Sequence, residues 1–329
     1  MRVNRGRSRA SMLVLWLSVA ALQTAVSGQS IFLREGFEDG SFAARGWYDS
    51  TGGTLSQTTK FAGAASFECR FATGASGCAG GHPGRLKFPA TESVYIAYYI
   101  RHSPSWVGSG RRYHPHLFLF LTNLDGDYAG PAYTHLTAYV ENNYLGGGTA
   151  SFIIQDGRNI DESRVGQNLV GVTENRAVAG CNGDSDGYGD GECSPAGSVH
   201  WNGKVWQAGT GLFDSTMGSP TYKGVWHLIE AYFALNSISG GIGQKDGTIR
   251  YWYDGRLILE RTNIVIRTGA RSTQRLTQLN LMPYIGDGSP ADQTMWIDNL
   301  MIASARPAVP PPPPSLQPPA PPTNLVIIR

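Results

Sequence analysis

The feature that most constrains the fold is a series of alternating runs between Gly224 and Ser304. Runs such as Thr-Ile-Arg-Tyr-Trp-Tyr repeat with a period of two, which is typical of β-strands that bury one face. Asp-Gly pairs stand at 246–247 and 254–255. Such a pair between alternating runs indicates a tight hairpin, because Gly accepts the positive φ of a type I′ turn. The sequence therefore predicts antiparallel sheet here.

Composition extends this prediction to most of the chain. The 329 residues include 42 glycines, and 11% are aromatic, while few segments have helical periodicity. Further strand-like segments lie at 31–42, 63–71, 92–101, 113–122, 133–142, 149–156, 225–236, 248–253, 256–261, 276–285 and 294–303. We predict one all-β domain over residues 29–305, a two-sheet antiparallel β-sandwich of jelly-roll type with an irregular excursion from about 156 to 224.

Both ends of the chain are expected to lie outside this domain. Four arginines precede an apolar run from Met12 to Leu22, and small residues follow at 25–28. This pattern is typical of a secretory signal peptide over residues 1–28, so the mature protein is expected to be extracellular, periplasmic or on the cell surface. Residues 306–329 are Pro-rich, with five successive prolines at 310–314, and favour extended polyproline II over a core.

Charge argues against nucleic acid and membranes as partners. The chain carries 27 basic and 25 acidic residues, and loss of the four leader arginines leaves a formal balance of −2. A nucleic-acid surface needs a dense Lys/Arg stripe, which the mature sequence lacks. No segment after the leader is long and apolar enough for stable membrane insertion. There is no P-loop, and we expect a monomer with no organic cofactor.

The four cysteines of an exported chain favour two disulfides over a metal site. Three pairings are possible. The local choices are Cys69 with Cys78 and Cys181 with Cys193, each closing a loop rich in Gly and small residues. Neither pair has Cys-x-x-Cys spacing.

Residue parity along the predicted strands collects polar and aromatic side chains on shared faces. The residues concerned are Tyr99, Arg101, Arg112, His114, His116, His135, Tyr139, Glu141, Trp226, Glu230 and Tyr232. Together they predict a groove that binds polysaccharide, because aromatic rings stack on sugar rings and fixed polar groups bond the hydroxyls. Phe118 and Phe120 share the parity of His116, so that strand either passes from groove to core or contains a bulge, and Pro115 fits an irregular position.

Some of these segments also resemble a known group of proteins. Trp-His-Leu-Ile-Glu-Ala-Tyr-Phe and Met-Trp-Ile-Asp-Asn-Leu-Met-Ile are similar to closing strands of secreted jelly rolls of the concanavalin A-like lectin/glucanase superfamily, in particular those that look like polysaccharide lyases. The resemblance implies a concanavalin-like sandwich that binds carbohydrate, with β-elimination of a uronic-acid-containing glycan as the sharpest expectation. The alginate-lyase motifs Gln-Ile-His and Tyr-x-Lys-Ala-Gly are absent.

Eliminative cleavage needs three roles: neutralising the uronate carboxylate, removing the adjacent proton, and protonating the departing oxygen. Arg112 suits the first role, His116 or His114 the second, and Tyr139 the third. Tyr and His recur in these roles in the lyases that the chain resembles. Two alternatives stay open, a non-catalytic lectin-like or adhesion module and a structural envelope or matrix protein.

The sequence argues against hydrolysis as the cleavage mechanism. The jelly-roll glucanases place two acids close together as Glu-x-Asp-x-x-Glu, a motif absent here, and Glu141 and Glu230 fall on different predicted strands. The Gly-x-Ser-x-Gly match at Gly183–Gly187 lacks the strand-turn-helix context of a serine nucleophile.

The sequence also contains two candidate calcium sites. The first is the Gly-rich loop between Cys181 and Cys193, which resembles short Asp/Gly calcium loops. Its hard oxygens belong to Asp184, Asp186, Asp190 and Glu192. A plain surface turn is the alternative. The second pairs Glu38 with Asp298, because many sugar-binding jelly rolls join their first and last strands through a cation. A turn cap by Asp298 is the alternative.

Overall fold

The computed structural model describes residues 29–111, 114–126, 136–142, 148–155, 203–213 and 222–311. Its seventeen strands are β1 (Ile31–Glu35), β2 (Trp47–Asp49), β3 (Thr54–Ser56), β4 (Ser66–Phe71), β5 (Gly84–Thr91), β6 (Ser93–His102), β7 (His116–Thr122), β8 (Thr137–Asn142), β9 (Thr149–Gln155), β10 (Gly203–Gly211), β11 (Trp226–Ala234), β12 (Ile238–Ser239), β13 (Ile242–Gly243), β14 (Gly247–Tyr253), β15 (Arg256–Ile264), β16 (Leu276–Tyr284) and β17 (Gln293–Ala303). Short 3₁₀ turns lie at Ala43–Arg45 and Gly269–Arg271. Within these ranges, no helix has the length and apolarity needed to cross a membrane.

Two large antiparallel sheets form a β-sandwich, which confirms the predicted fold class. The first sheet has the order β15-β14-β11-β6-β17-β4-β3, and β1 also pairs with β17. The second sheet has the order β10-β9-β8-β7-β16-β5-β2. Neighbouring strands are often distant in sequence, as with β7 and β16, so long-range pairing decides which side chains meet.

Aromatic contacts between the sheets define their inner faces. Tyr98 of β6 lies 6.0 Å from Phe118 of β7, measured between ring centroids. Phe233 of β11 lies 5.5 Å from Phe120 and 4.0 Å from Phe152 of β9. Because side chains alternate along a strand, the residues between these core positions point away from the core. Each sheet therefore has its own outer face.

A register shift explains the mixed parity of β7. His116 pairs with Glu141, whereas Phe120 pairs with Ala138, so the register changes by one residue between them. The shift turns Phe118 and Phe120 into the core and leaves His116 on the outer face. This confirms the bulge alternative.

One of the two predicted hairpin turns is correct. Asp254 and Gly255 join β14 to β15 with φ of 49° and 78°, as a type I′ turn requires. The prediction for 246–247 is wrong, because Gly247 is the first residue of β14 and pairs with Ile264. A Cβ at Gly247 would lie 2.7 Å from the Ile264 carbonyl oxygen. The glycine therefore allows β14 and β15 to approach each other closely at this point.

Six strands fall outside the predicted segments. β2 and β3 have three residues each and β12 and β13 have two each, too few to show a period. β5 contains Pro89, which argues against a strand, and β10 lies inside the predicted irregular excursion.

The Cys69–Cys78 disulfide is confirmed and joins β4 to the loop before β5. Cys181 and Cys193 lie outside the described residues.

Candidate active site

Four rings gather on the outer face of the second sheet, and we call them the ring cluster. They are His114, His116 of β7, Tyr139 of β8 and Tyr284 of β16. The His116 ring centroid lies 5.1 Å from that of His114, 5.2 Å from Tyr139 and 5.4 Å from Tyr284. Strand pairing causes this convergence, because His116 is opposite Tyr284 on one side and Glu141 on the other.

His116 is a buried histidine whose two ring nitrogens are both without hydrogen-bond partners among the described residues. The residue is 6% exposed. Buried polar groups without partners are rare in folded proteins, and they often mark functional sites. The Glu141 carboxylate lies 3.5 Å from His116 Nδ1, close enough to stabilise the protonated ring.

His114 is held in the opposite chemical state. The Gly286 amide donates a 2.8 Å hydrogen bond to His114 Nδ1, so the proton of the neutral ring resides on Nε2. Burial is the largest cause that lowers the pKa of His114, and a proton on His116 would lower it further, so the His114 ring stays neutral. His114 therefore acts as an N–H donor. Of the two histidines that the sequence left open, His116 is the one with a lone pair available.

The same hydrogen bond argues against a metal centre. His114, His116 and Glu141 are the one cluster of three potential metal ligands found in the described ranges, with ligand atoms within 4.8 Å of one another. A ligating histidine must direct a lone pair at the ion. In His114 the Nδ1 lone pair accepts from Gly286 and Nε2 carries the proton, so the ring does not fit a metal ligand.

Asn280 is a further polar residue on this face, and it is not among the residues predicted from the sequence. Asn280 of β16 pairs with Leu119 of β7, lies between the core residues Leu279 and Leu281, and is 3% exposed. Its carboxamide has no hydrogen-bond partner among the described residues. Asn280 and Tyr139 stand on either side of β7. Parity along β16 could have placed Asn280 on an outer face, but the pairing with β7 cannot be read from the sequence.

The polar face continues to the edge of the sheet. Arg85 of β5 pairs with Asn280, is 3% exposed and forms a 2.8 Å salt bridge with Asp49. Tyr48 of β2 donates a 2.9 Å hydrogen bond to Gln278. From β8 to β2 this face crosses five strands, a width of roughly 19 Å at normal strand spacing.

Five predicted groove residues lie elsewhere. Tyr99, Arg101, Trp226, Glu230 and Tyr232 occupy β6 and β11, on the outer face of the first sheet. Tyr99 packs there in an apolar cluster with Trp226 and Tyr232, opposite the ring cluster across the sandwich. The candidate residues therefore lie on two different outer faces and do not share one groove. Parity assigns a side chain to an outer face, but it does not say to which sheet that face belongs.

Glu230 is a buried carboxylate whose oxygens are hydrogen-bonded to other side chains of the protein. It is 0% exposed and accepts a 2.6 Å hydrogen bond from the Tyr95 hydroxyl. The Arg306 guanidinium donates to both of its oxygens, at 2.8 and 3.0 Å, and lies 4.7 Å from the Trp252 ring centroid. This enclosed ion pair leaves Glu230 unavailable to a sugar in the structure as it stands.

Glu38 and Asp298 both hold the backbone of the loop 61–65. Asp298 accepts from the Phe61 and Ala62 amides at 2.8 and 3.1 Å, and Glu38 accepts from two further amides of the loop. Burial, with a contribution from the charge of Glu38, raises the pKa of Asp298 to about 6. Neither carboxylate pairs with a cationic side chain within the described ranges. Both carboxylates therefore cap the backbone of this loop, as the turn-cap alternative expects for Asp298.

The remaining predicted site residues are Arg112, His135, Asp184, Asp186, Asp190 and Glu192, and they lie outside the described residues.

Comparison of the sequence with protein families and with curated proteins finds no match.

Comparison with solved structures finds polysaccharide lyases. The alginate lyase Aly36B is 14% identical, with 82% of this chain and 95% of that chain covered and a TM-score of 0.47. The alginate lyase vAL-1 from Chlorella virus is 13% identical, with 77% and 90% covered and a TM-score of 0.47. The endo-β-1,4-glucuronan lyase of the fungus Trichoderma reesei is 11% identical, with 85% and 95% covered and a TM-score of 0.43. Identities and TM-scores this low do not assign an activity to this chain.

Proposed function

We propose that this chain is a secreted polysaccharide lyase that cleaves a uronic-acid-containing glycan by β-elimination. The observation that carries the proposal is the buried His116, with both ring nitrogens unpartnered, beside Tyr139 and Glu141 on an outer sheet face. Export is supported by the leader pattern at residues 1–28 and by the Cys69–Cys78 disulfide, which suits an oxidising compartment.

The reaction assigns one proton to each of two side chains. His116 removes the proton from the ring carbon that bears the carboxylate, and Tyr139 donates its phenolic proton to the departing glycosidic oxygen. The carbon–oxygen bond breaks as a carbon–carbon double bond forms, so atoms and charge balance. Glu141 stabilises the imidazolium that His116 becomes, from 3.5 Å away.

The substrate carboxylate must be neutralised before the adjacent carbon releases its proton. Asn280 suits this role, because its carboxamide is unpartnered among the described residues and lies across β7 from Tyr139. Arg112 keeps the same proposed role from the sequence. The Nε2–H of His114 supplies a further donor in the ring cluster.

A panel of uronate polymers tests the proposal. The mature protein is incubated with each polymer, and absorbance at about 235 nm reports the unsaturated product of elimination. We expect a rise with at least one polymer, and its loss in His116→Ala. No rise with any polymer, together with retention in a polysaccharide gel, contradicts the lyase and supports a lectin-like module. Absence of both signals supports a structural protein.

We also propose a Ca²⁺ ion beside Glu38 and Asp298. Bound to the folded chain alone, such an ion raises thermal stability by mass action. We expect a chelator to lower the melting temperature of the wild type and to have little effect on Glu38→Gln. A melting temperature that does not change on chelation contradicts this site.

A further inference from the structure

A disulfide-closed loop lies against the strand end that carries the candidate site. Cys69 of β4 is fully buried and bonded to Cys78, which is partly exposed. We call residues 69–78 the disulfide loop. Because Cys69 belongs to the first sheet, the bond ties this loop to the body of the sandwich.

The disulfide loop is joined by backbone contacts to residues 284–289, which we call the site segment. Gly77 forms a β-bridge with Tyr284. Three hydrogen bonds of 2.7 to 2.8 Å run from Ile285 N to Ser76 O, from Ser289 N to Ala75 O and from Gly74 N to Ser289 O. A Cβ at Gly288 would lie 2.6 Å from the Gly74 carbonyl oxygen, so the two backbones are in close contact.

The site segment in turn holds the ring cluster. Tyr284 is a member of that cluster, and the Gly286 amide donates to His114 Nδ1 at 2.8 Å. A Cβ at Gly286 would lie 2.5 Å from His114 Cε1. The Arg111–Asp287 salt bridge, at 2.9 Å, adds a second tie to the chain around His114.

We propose that the Cys69–Cys78 disulfide is a positioning element of the candidate site. It restrains the disulfide loop, whose backbone fixes the site segment, which in turn fixes the tautomer and orientation of His114. Without the bond, the Gly286 amide is no longer held at His114 Nδ1, and the ring is free to exchange its proton between both nitrogens. The kinetic consequence rests on the proposed lyase function, whereas the effect on His114 does not.

Nitrogen NMR of histidine and steady-state kinetics test this inference together. The Cys181→Ser/Cys193→Ser variant leaves Cys69 and Cys78 as the remaining cysteines, and it is measured before and after reduction. The His114 signal is assigned by its loss in His114→Gln. A second variant, Gly288→Ala, keeps the disulfide but disturbs the close contact between loop and segment.

In the oxidised form we expect His114 as the single Nε2–H tautomer. After reduction, and in Gly288→Ala, we expect mixed tautomers, and on a cleaved polymer a kcat about tenfold lower with KM within about twofold. Reoxidation restores both. An unchanged His114 tautomer after complete reduction and in Gly288→Ala overturns the inference. If no polymer is cleaved by any form, the proposed function fails, while the His114 signal still decides the positioning role.

Discussion

At the scale of single residues, the chemistry of the site depends on one backbone amide. His114 and His116 could be identified from the sequence as neighbours on one face, but nothing in the sequence distinguishes a base from a donor. The distinction comes from Gly286, which is far away along the chain and donates to His114 Nδ1. Glycine at this position leaves room for the imidazole, a requirement visible only when the two segments are in contact.

The role of Asn280 predicts a difference between two substitutions. Asn280→Ala removes the proposed donor to the substrate carboxylate, whereas Asn280→Asp would place a second negative charge against that carboxylate. We expect kcat/KM on the cleaved polymer to fall about 10²-fold in Asn280→Ala and further in Asn280→Asp. Initial rates at low substrate concentration measure this. Equal losses in both variants would contradict a direct contact with the carboxylate.

Asp298 predicts a pH dependence of stability. Its pKa is raised from an ordinary 3.8 to about 6, chiefly by burial, so the folded chain holds this proton more tightly than the unfolded chain. The resulting stabilisation is complete below 3.8 and is lost as the pH rises through about 6. Glu38→Gln removes a charge that raises this pKa, so we expect a shallower fall in melting temperature over that window.

The melting temperatures are measured in the presence of chelator. Glu260→Gln is the control variant, because it removes a carboxylate from an exposed salt bridge with Arg250. Identical slopes in wild type and Glu38→Gln would show that the charge of Glu38 does not act on Asp298.

At the scale of strands and sheets, the sequence predicts elements better than their partners. Alternation located β11, β14 and β17 closely, and parity placed His116 and Glu141 on one outer face. Parity also places Glu230 on an outer face, but that face belongs to the first sheet, because β11 pairs there. A period of two reports the face of a strand, whereas sheet membership depends on long-range pairing.

We expect Arg306, the first residue of the Pro-rich segment, to stabilise the folded chain through its ion pair with Glu230. Arg306 is the cation that pairs with the fully buried Glu230, and its side chain is 29% exposed. Arg306→Ala leaves that carboxylate buried without a counter-charge, so we expect the free energy of unfolding to fall by about 3 kcal/mol. Urea titrations measure the change. Adding Glu230→Gln to Arg306→Ala removes the buried charge, and we expect it to recover part of the loss.

A loss below about 0.5 kcal/mol in Arg306→Ala, the level of an ordinary surface substitution, would contradict this account of the pair.

At the scale of the whole molecule, the two outer faces differ in chemistry. The outer face of the second sheet carries the ring cluster, Glu141 and Asn280. The outer face of the first sheet carries an apolar cluster and an ion pair closed by Arg306. Alternation and glycine content predict the fold class, whereas the proposal that one face carries the function needs the packed sandwich.

The most direct test of the central claim compares two hydroxyl deletions on opposite faces. Tyr139→Phe removes the proposed proton donor, and Tyr232→Phe removes a phenol from the outer face of the first sheet. On a polymer that the wild type cleaves, formation of unsaturated product is measured for all three proteins. We expect Tyr139→Phe to lose at least about 10²-fold in kcat and Tyr232→Phe to stay within about twofold of the wild type. Full activity in a folded Tyr139→Phe, or an equal loss in Tyr232→Phe, would contradict the claim that the outer face of the second sheet is the active site.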